Sequence, residues 1–157
     1  MSSTYYADAM EIKSDLVKFM QDIIRIPSLS SEEGAVVDRI REEMQRLGYD
    51  EVTIDPMGNV LGRIGSGPRV IAFDGHVDTV DVGDPALWDR DPHSGDIEDG
   101  ILYGRGTSDM KGGVAAAVYA GALLKKRGIP DDVTSVSYTH LRAHETGSGI
   151  SYAVFCL

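Results

Sequence analysis

The stretch Val70-Ile71-Ala72-Phe73-Asp74-Gly75-His76-Val77-Asp78-Thr79 decides how the chain is read. Four apolar residues in a row, three of them β-branched or aromatic, predict a buried strand of the kind parallel sheets use. The run then turns polar and delivers a histidine and an aspartate two residues apart. In an extended chain, positions i and i+2 point to the same side about 7 Å apart. A histidine that binds metal through one ring nitrogen usually gives its other N–H to a carboxylate, which fixes tautomer and aim. His76 and Asp78 are spaced for that, although the pair alone also fits an ordinary polar loop.

Outward from this strand, about thirty residues on, comes a second chemistry-bearing segment, Tyr103-Gly104-Arg105-Gly106-Thr107-Ser108-Asp109-Met110-Lys111-Gly112-Gly113. It leads into an alanine-rich helix from about Met110 to Arg127, stopped by Gly128-Ile129-Pro130. Asp109 at the helix start reads either as an N-cap or as a carboxylate aimed at a cation. Gly104 and Gly106 permit a tight loop, and Lys111 reads as a solvated first-turn charge. Anion binding at this helix start is the other option. The spacing G-x-x-x-x-G-K-[ST] is absent, however, Gly104, Gly106 and Asp109 do not complete G-x-G-x-x-G, and an aspartate at the helix mouth repels phosphate.

Before the strand, Ile12, Leu16, Phe19, Met20, Ile23 and Ile24 keep a helical period that Pro27 ends. Ser30-Ser31-Glu32-Glu33 fits a capping box for a second helix, with Val36, Val37, Ile40, Met44 and Leu47 inward and Gly48 as its stop. Val52–Ile54 and Val60–Ile64 read as strands joined by the turn Pro56-Met57-Gly58-Asn59. Asp99-Gly100 marks a tight hairpin, and Val133 opens a further strand. Helices alternating with strands indicate an α/β domain: three layers, with a largely parallel sheet and helices on both faces.

The composition agrees with a small-molecule enzyme. The chain has 157 residues, 42% of them hydrophobic, and a net charge of −10, which disfavours nucleic acid and anionic membrane as partners. No apolar run reaches membrane-spanning length and the first ten residues lack a signal peptide's pattern. The single cysteine, Cys156, excludes an internal disulfide framework. A cytoplasmic protein is expected.

The two motifs, in this order and at this separation, with Trp88 and Asp91-Pro92-His93-Ser94-Gly95 between them, resemble a zinc-dependent family. It is the aminoacylase/carboxypeptidase family that includes acetylornithine deacetylase, succinyl-diaminopimelate desuccinylase and carboxypeptidase G. Ile26-Pro27-Ser28 and Asp55-Pro56-Met57-Gly58-Asn59-Val60 look like the subgroup called selenium-metabolism-linked hydrolases. The resemblance covers about residues 8–132. It implies that His76 binds one metal ion, that Asp109 bridges two, and that Asp78 is the catalytic-site carboxylate orienting His76. It further implies two Zn2+ ions per complete site, with cobalt or manganese as other fits for histidine and carboxylate ligands. The reaction implied is hydrolysis of an amide in an N-acyl amino acid or small peptide-like substrate, by a metal-bridged water that a glutamate deprotonates.

That glutamate, in the family, belongs to a Glu-Glu pair after the next strand. Another acidic ligand and a histidine follow beyond an inserted lid and dimerisation domain, which makes the parent a homodimer. Here Ser135-Val136-Ser137-Tyr138-Thr139-His140-Leu141-Arg142-Ala143-His144-Glu145-Thr146 stands instead and looks like translated sequencing-adapter read-through. Residues 1–134 are therefore expected to be the N-terminal part of the catalytic domain. Residues 135–157 would be a non-native tail without consistent packing after about Val136, and the lid and dimerisation domain would be absent. Within that tail His140 and His144 have the i, i+4 spacing of helical zinc ligands, but H-E-x-x-H is not completed. His144-Glu145-Thr146-Gly147-Ser148-Gly149 also resembles the family's Glu-Glu-Thr-Gly-Ser pattern, with Glu145 as ligand and His144 where the general base belongs. A truncated hydrolase, inactive alone, is the expectation; a noncatalytic binding or regulatory module on the same scaffold is the alternative.

Overall fold

Helix α1, Ser2–Arg25, ends where Ile26 meets Pro27, because the residue before proline is pushed out of the helical region. The computed structural model describes residues 2–140 and 155–156. Phe19, Met20, Ile23 and Ile24 of α1 are fully buried, with Ile12 and Leu16 packed beside them. Helix α2, Gly34–Arg46, buries Val36, Val37, Ile40 and Met44 on the same cluster and stops at Gly48, which takes φ +77°.

The capping box expected before α2 does not form. Glu33 stands at the cap without a side-chain cap bond, and its Oε1 accepts from the Ser31 N–H at 2.8 Å instead. Ser30 Oγ donates to Asp78 Oδ2 at 2.8 Å. A charged acceptor makes the stronger hydrogen bond, so the hydroxyl goes to the carboxylate rather than to a backbone amide.

Strands β1 (Glu51–Ile54) and β2 (Val60–Gly65) form the expected antiparallel hairpin. Its turn is tied by Asp55 Oδ1, which accepts from the Met57 and Asn59 N–H groups at 2.9 and 3.0 Å. Strand β3 spans Arg69–His76. A short second hairpin, β4 (Ile97–Glu98) and β5 (Ile101–Leu102), turns at Asp99 and Gly100, both at positive φ. Helix α3, Gly112–Arg127, then leads to β6, Val133–His140, which runs parallel to β3 and antiparallel to β2. The sheet order is β1-β2-β6-β3, and β7 (Phe155–Cys156) pairs with β5 in a separate small sheet.

The expected α/β class is what forms. Its sheet is mixed in this part, one parallel pair and two antiparallel ones, where a largely parallel sheet was expected; the β1–β2 hairpin supplies the antiparallel edge. α2 and α3 cover the face that carries Val60, Gly62 and Ile64, and α1 packs on both helices. Among the described residues no helix lies on the other face, so two of the three expected layers are on view. Strand β3 also differs from the fully buried strand that its apolar run predicts. Val70, Ile71 and Phe73 are 61%, 47% and 40% exposed, because among the described residues only β6 flanks this strand, and α3 reaches it at Gly75.

Residues 137–140, expected to lack a consistent pattern, sit in the centre of the sheet instead. Ser135, Ser137 and Thr139 are buried while Val136 and Tyr138 are half-buried, an alternation of period two that suits a strand whatever its residues. His140 therefore belongs to a strand and not to a helix pairing it with His144. Residues His144 to Gly149, with the Glu145 reading, lie outside the described residues.

Candidate metal centre

β3 ends at His76, and the chain bends through Val77-Asp78-Thr79 against the segment that follows α1. Ser28 holds this bend on both sides: its Oγ donates to Val77 O at 2.7 Å, and its carbonyl accepts from the Thr79 N–H at 2.7 Å. Asp78 is 6% exposed. One carboxylate oxygen takes the Ser30 hydroxyl, and the other lies 3.1 Å from His76 Nδ1. The expected His-x-Asp geometry is therefore present, with Asp78 behind the imidazole. The Nδ1 position also lies 3.2 Å from the Asp78 carbonyl.

The second motif brings Asp109 to the other ring nitrogen. His76 Nε2 lies 2.9 Å from Asp109 Oδ1, across 33 residues of sequence. Asp109 is not the helix cap. Its φ of −124° and ψ of 94° are extended, inside the turn Thr107–Lys111 that precedes α3, and the residue at the α3 cap is Lys111. Gly106 makes the approach of the two motifs possible. It has φ +80°, and a Cβ there would lie 2.7 Å from Thr79 Cγ2, on the neighbouring loop.

Lys111 is not the solvated charge its position in a first turn predicts. It is fully buried, and its Nζ donates to the carbonyls of Ile23 and Ile26 at 2.9 and 2.8 Å. Burial pushes its ammonium down to about 8. The last carbonyls of α1 have no partners within their own helix, and Lys111 supplies them. Arg105 is tied to the loop after Asp78: its guanidinium lies 4.8 Å over the Trp88 ring and Nη2 donates to Asp81 O at 3.3 Å. This placement makes Arg105 a loop anchor rather than the anion ligand of a phosphate cradle.

Sequence reasoning found His76, Asp78 and Asp109 and missed the residues that hold them. Ser30 read as a helix cap, Lys111 as a surface charge and Ser28 only as part of a subgroup likeness, so none of them pointed to a supporting contact. The imidazole and carboxylate that converge here suit a borderline divalent ion. The donor types fit, with Nε2 and Oδ1 side by side at 2.9 Å and Nδ1 3.1 Å from the Asp78 carboxylate. Among the described residues no cluster of three or more histidine, cysteine or acidic side chains could hold a metal ion.

Comparison with known proteins gives the family, one of metallopeptidase type. The chain belongs to peptidase family M20/M25/M40, whose profile matches residues 72–154. It is 50% identical over 126 residues to the uncharacterized protein YgeY of Escherichia coli, covering 80% of this chain and 31% of that protein. It is 40% identical over 129 residues to a succinyl-diaminopimelate desuccinylase of Cereibacter sphaeroides, covering 80% and 34%. Among solved structures, human carnosine dipeptidase 1 superposes with a TM-score of 0.76 at 24% identity, over 92% of this chain and 35% of that one. A dinuclear metal-binding M20 peptidase of Bacillus subtilis, YXEP, does so with a TM-score of 0.59 at 17% identity, over 83% and 35%. The chain thus spans about a third of the length of the relatives it matches.

Proposed function

We propose that this chain is the N-terminal part of the catalytic domain of a metal-dependent hydrolase that cleaves an amide in an N-acyl amino acid or small peptide-like substrate. The observation that carries the proposal is the 2.9 Å approach of His76 Nε2 to Asp109 Oδ1 with Asp78 on the opposite ring nitrogen. In this reading His76 and Asp109 are metal ligands, Asp109 is the bridging one, and Asp78 orients His76. Zn2+ is the expected ion, two per complete site, with cobalt or manganese as substitutes. Family membership and the metal-binding YXEP neighbour support the cofactor; the desuccinylase and dipeptidase relatives support the substrate class.

A bound divalent ion supplies Lewis acidity for attack on an amide carbonyl. The chain's own residues prepare for it. Asp78 accepts the Nδ1–H, so the lone pair of the imidazole is placed on Nε2, facing Asp109. Ser30 donates to the second Asp78 oxygen and restrains the carboxylate from turning away. Asp109, 40% exposed at its side chain, keeps an oxygen open. The remaining ligands and the general base are expected from the longer protein, together with its lid and dimerisation domain, and the parent is a cytoplasmic homodimer in this reading. No helix among the described residues is long and apolar enough to cross a membrane.

Isothermal titration of the chain with Zn2+ tests the proposal. Weak binding that disappears in His76→Ala and in Asp109→Asn is expected. Tight binding of two ions per chain, or binding unchanged in both variants, would refute it.

A further inference from the structure

Beyond the ligand pair itself, a closed circuit of contacts surrounds it. From Asp109 the chain passes two residues to Lys111, whose N–H closes the turn on Gly106 O at 2.9 Å. Lys111 Nζ then crosses to Ile26 O and Ile23 O at the end of α1. From Ile26 a strap of five residues, Ile26-Pro27-Ser28-Leu29-Ser30, runs to the other motif. Ser28 grips the Val77–Thr79 bend, Leu29 forms a parallel bridge with Thr79, and Ser30 ends on Asp78. Asp78 meets His76, and His76 meets Asp109. Apart from the 2.9 Å approach of His76 Nε2 to Asp109 Oδ1, every link is a hydrogen bond or a short run of backbone, and Pro27 stiffens the middle by fixing its own φ.

We propose that Lys111 and the Ile26–Ser30 strap are positioning elements that set the register of His76 against Asp109, and so the spacing of the metal pair. The metal part rests on the function proposed above; the geometric part does not. A lysine that only capped α1 could do so from the surface, where a last-turn cation is favourable without losing its water. Lys111 is instead fully buried with no carboxylate bonded to it among the described residues, an arrangement that costs desolvation and ties the Asp109 turn to the strap. Its burial also keeps it from any substrate, so its effect on chemistry runs through Asp109.

The test uses the metal-free chain and Lys111→Met, which keeps length and bulk but has no donor, beside Ser30→Ala at the exposed far end of the strap. Long-range 15N–1H NMR reads the His76 ring nitrogens, urea unfolding reads the fold, and a chromophoric chelator competing for Zn2+ reads affinity. In folded Lys111→Met the Nε2 resonance shifts while Nδ1 stays, and Zn2+ affinity falls about tenfold; in Ser30→Ala the Nδ1 resonance shifts first. Should Lys111→Met not fold, Pro27→Gly loosens the strap between its two ties and is expected to shift Nε2 as well. Unchanged His76 resonances in the folded variants, with only the unfolding midpoint moved, would reduce Lys111 to a helix cap and overturn the proposal. A wild-type chain that shows the resonance shifts on mutation but binds no Zn2+ keeps the strap and removes the metal reading. Equal Zn2+ affinity with unchanged resonances does the reverse.

Discussion

Tyr119 of α3 donates its hydroxyl to Glu43 of α2 at 2.6 Å, beside the apolar cluster that α1, α2 and α3 share. Arg46 and Arg39 complete the shell of that carboxylate at 2.5 and 2.9 Å, and Arg46 also donates to the Tyr119 oxygen at 2.9 Å. Burial pushes the Glu43 carboxyl up, but hydrogen bonds from Arg46, Tyr119 and Arg39 together hold it below its ordinary value of 4.5. α2 and α3 are joined by this charge rather than by apolar contact alone.

Glu43→Gln is therefore expected to cost about 2 kcal/mol at neutral pH, since it strands two guanidinium groups beside a neutral amide. The sign with pH follows from the lowered pKa. The stabilisation is complete above the unfolded value of 4.5 and is lost as pH falls through the folded value. Urea unfolding at pH 7 and at pH 3 should show the gap between wild type and Glu43→Gln closing at the lower pH.

Asp78→Asn leaves the size of the side chain unchanged and removes the charge behind His76. Zn2+ affinity is expected to fall by about 10- to 100-fold, as for other carboxylates that orient a ligating histidine. Chelator competition measures it; an unchanged affinity would show that the ring is fixed by its packing instead.

Gly121→Ala tests how closely α3 lies on the core. A Cβ there would be 2.2 Å from Tyr49 Oη, which donates to Val118 O at 2.8 Å and lies 3.2 Å from Ser137 Oγ. Overpacking of this kind costs about 1–3 kcal/mol and outweighs the gain of about 1 kcal/mol in helix propensity. A lower Tm is expected, and a raised one would mean that Tyr49 can move aside.

The exposed β3 edge gives the last expectation. Val70→Lys should leave unfolding within about 0.5 kcal/mol of wild type, because Val70 is 61% exposed, while reducing light scattering at high concentration. A lysine on an edge strand opposes pairing with a second chain.

Much of this fold was legible without coordinates. The helical period from Ile12 to Ile24, the proline after it, the hairpin turns at residues 55–59 and Asp99-Gly100, and the glycine stops at Gly48 and Gly128 are local signals, and local geometry is where they act. His76, Asp78 and Asp109 were legible as well, because two motifs at a set separation constrain each other. What failed were readings that depended on a neighbour distant in sequence. The apolar run of β3 said buried, but burial is set by what lies beside a strand. Ser30 said cap, and a carboxylate 48 residues away took its hydroxyl. Val133 said strand and the polar residues after about Val136 said no consistent packing, yet the gap between β2 and β3 offered them backbone partners on both sides.

The sequence by itself determined which residues are the candidates for the chemistry and in which order their elements come, since composition, period and motif spacing are properties of the chain. Only the tertiary structure decided that His76 and Asp109 face one another at 2.9 Å and that Lys111 lies buried between their supports. Those facts depend on how α1, the strap and the two loops pack. A hydrogen bond forms where geometry brings partners together, and no one-dimensional pattern records that distance.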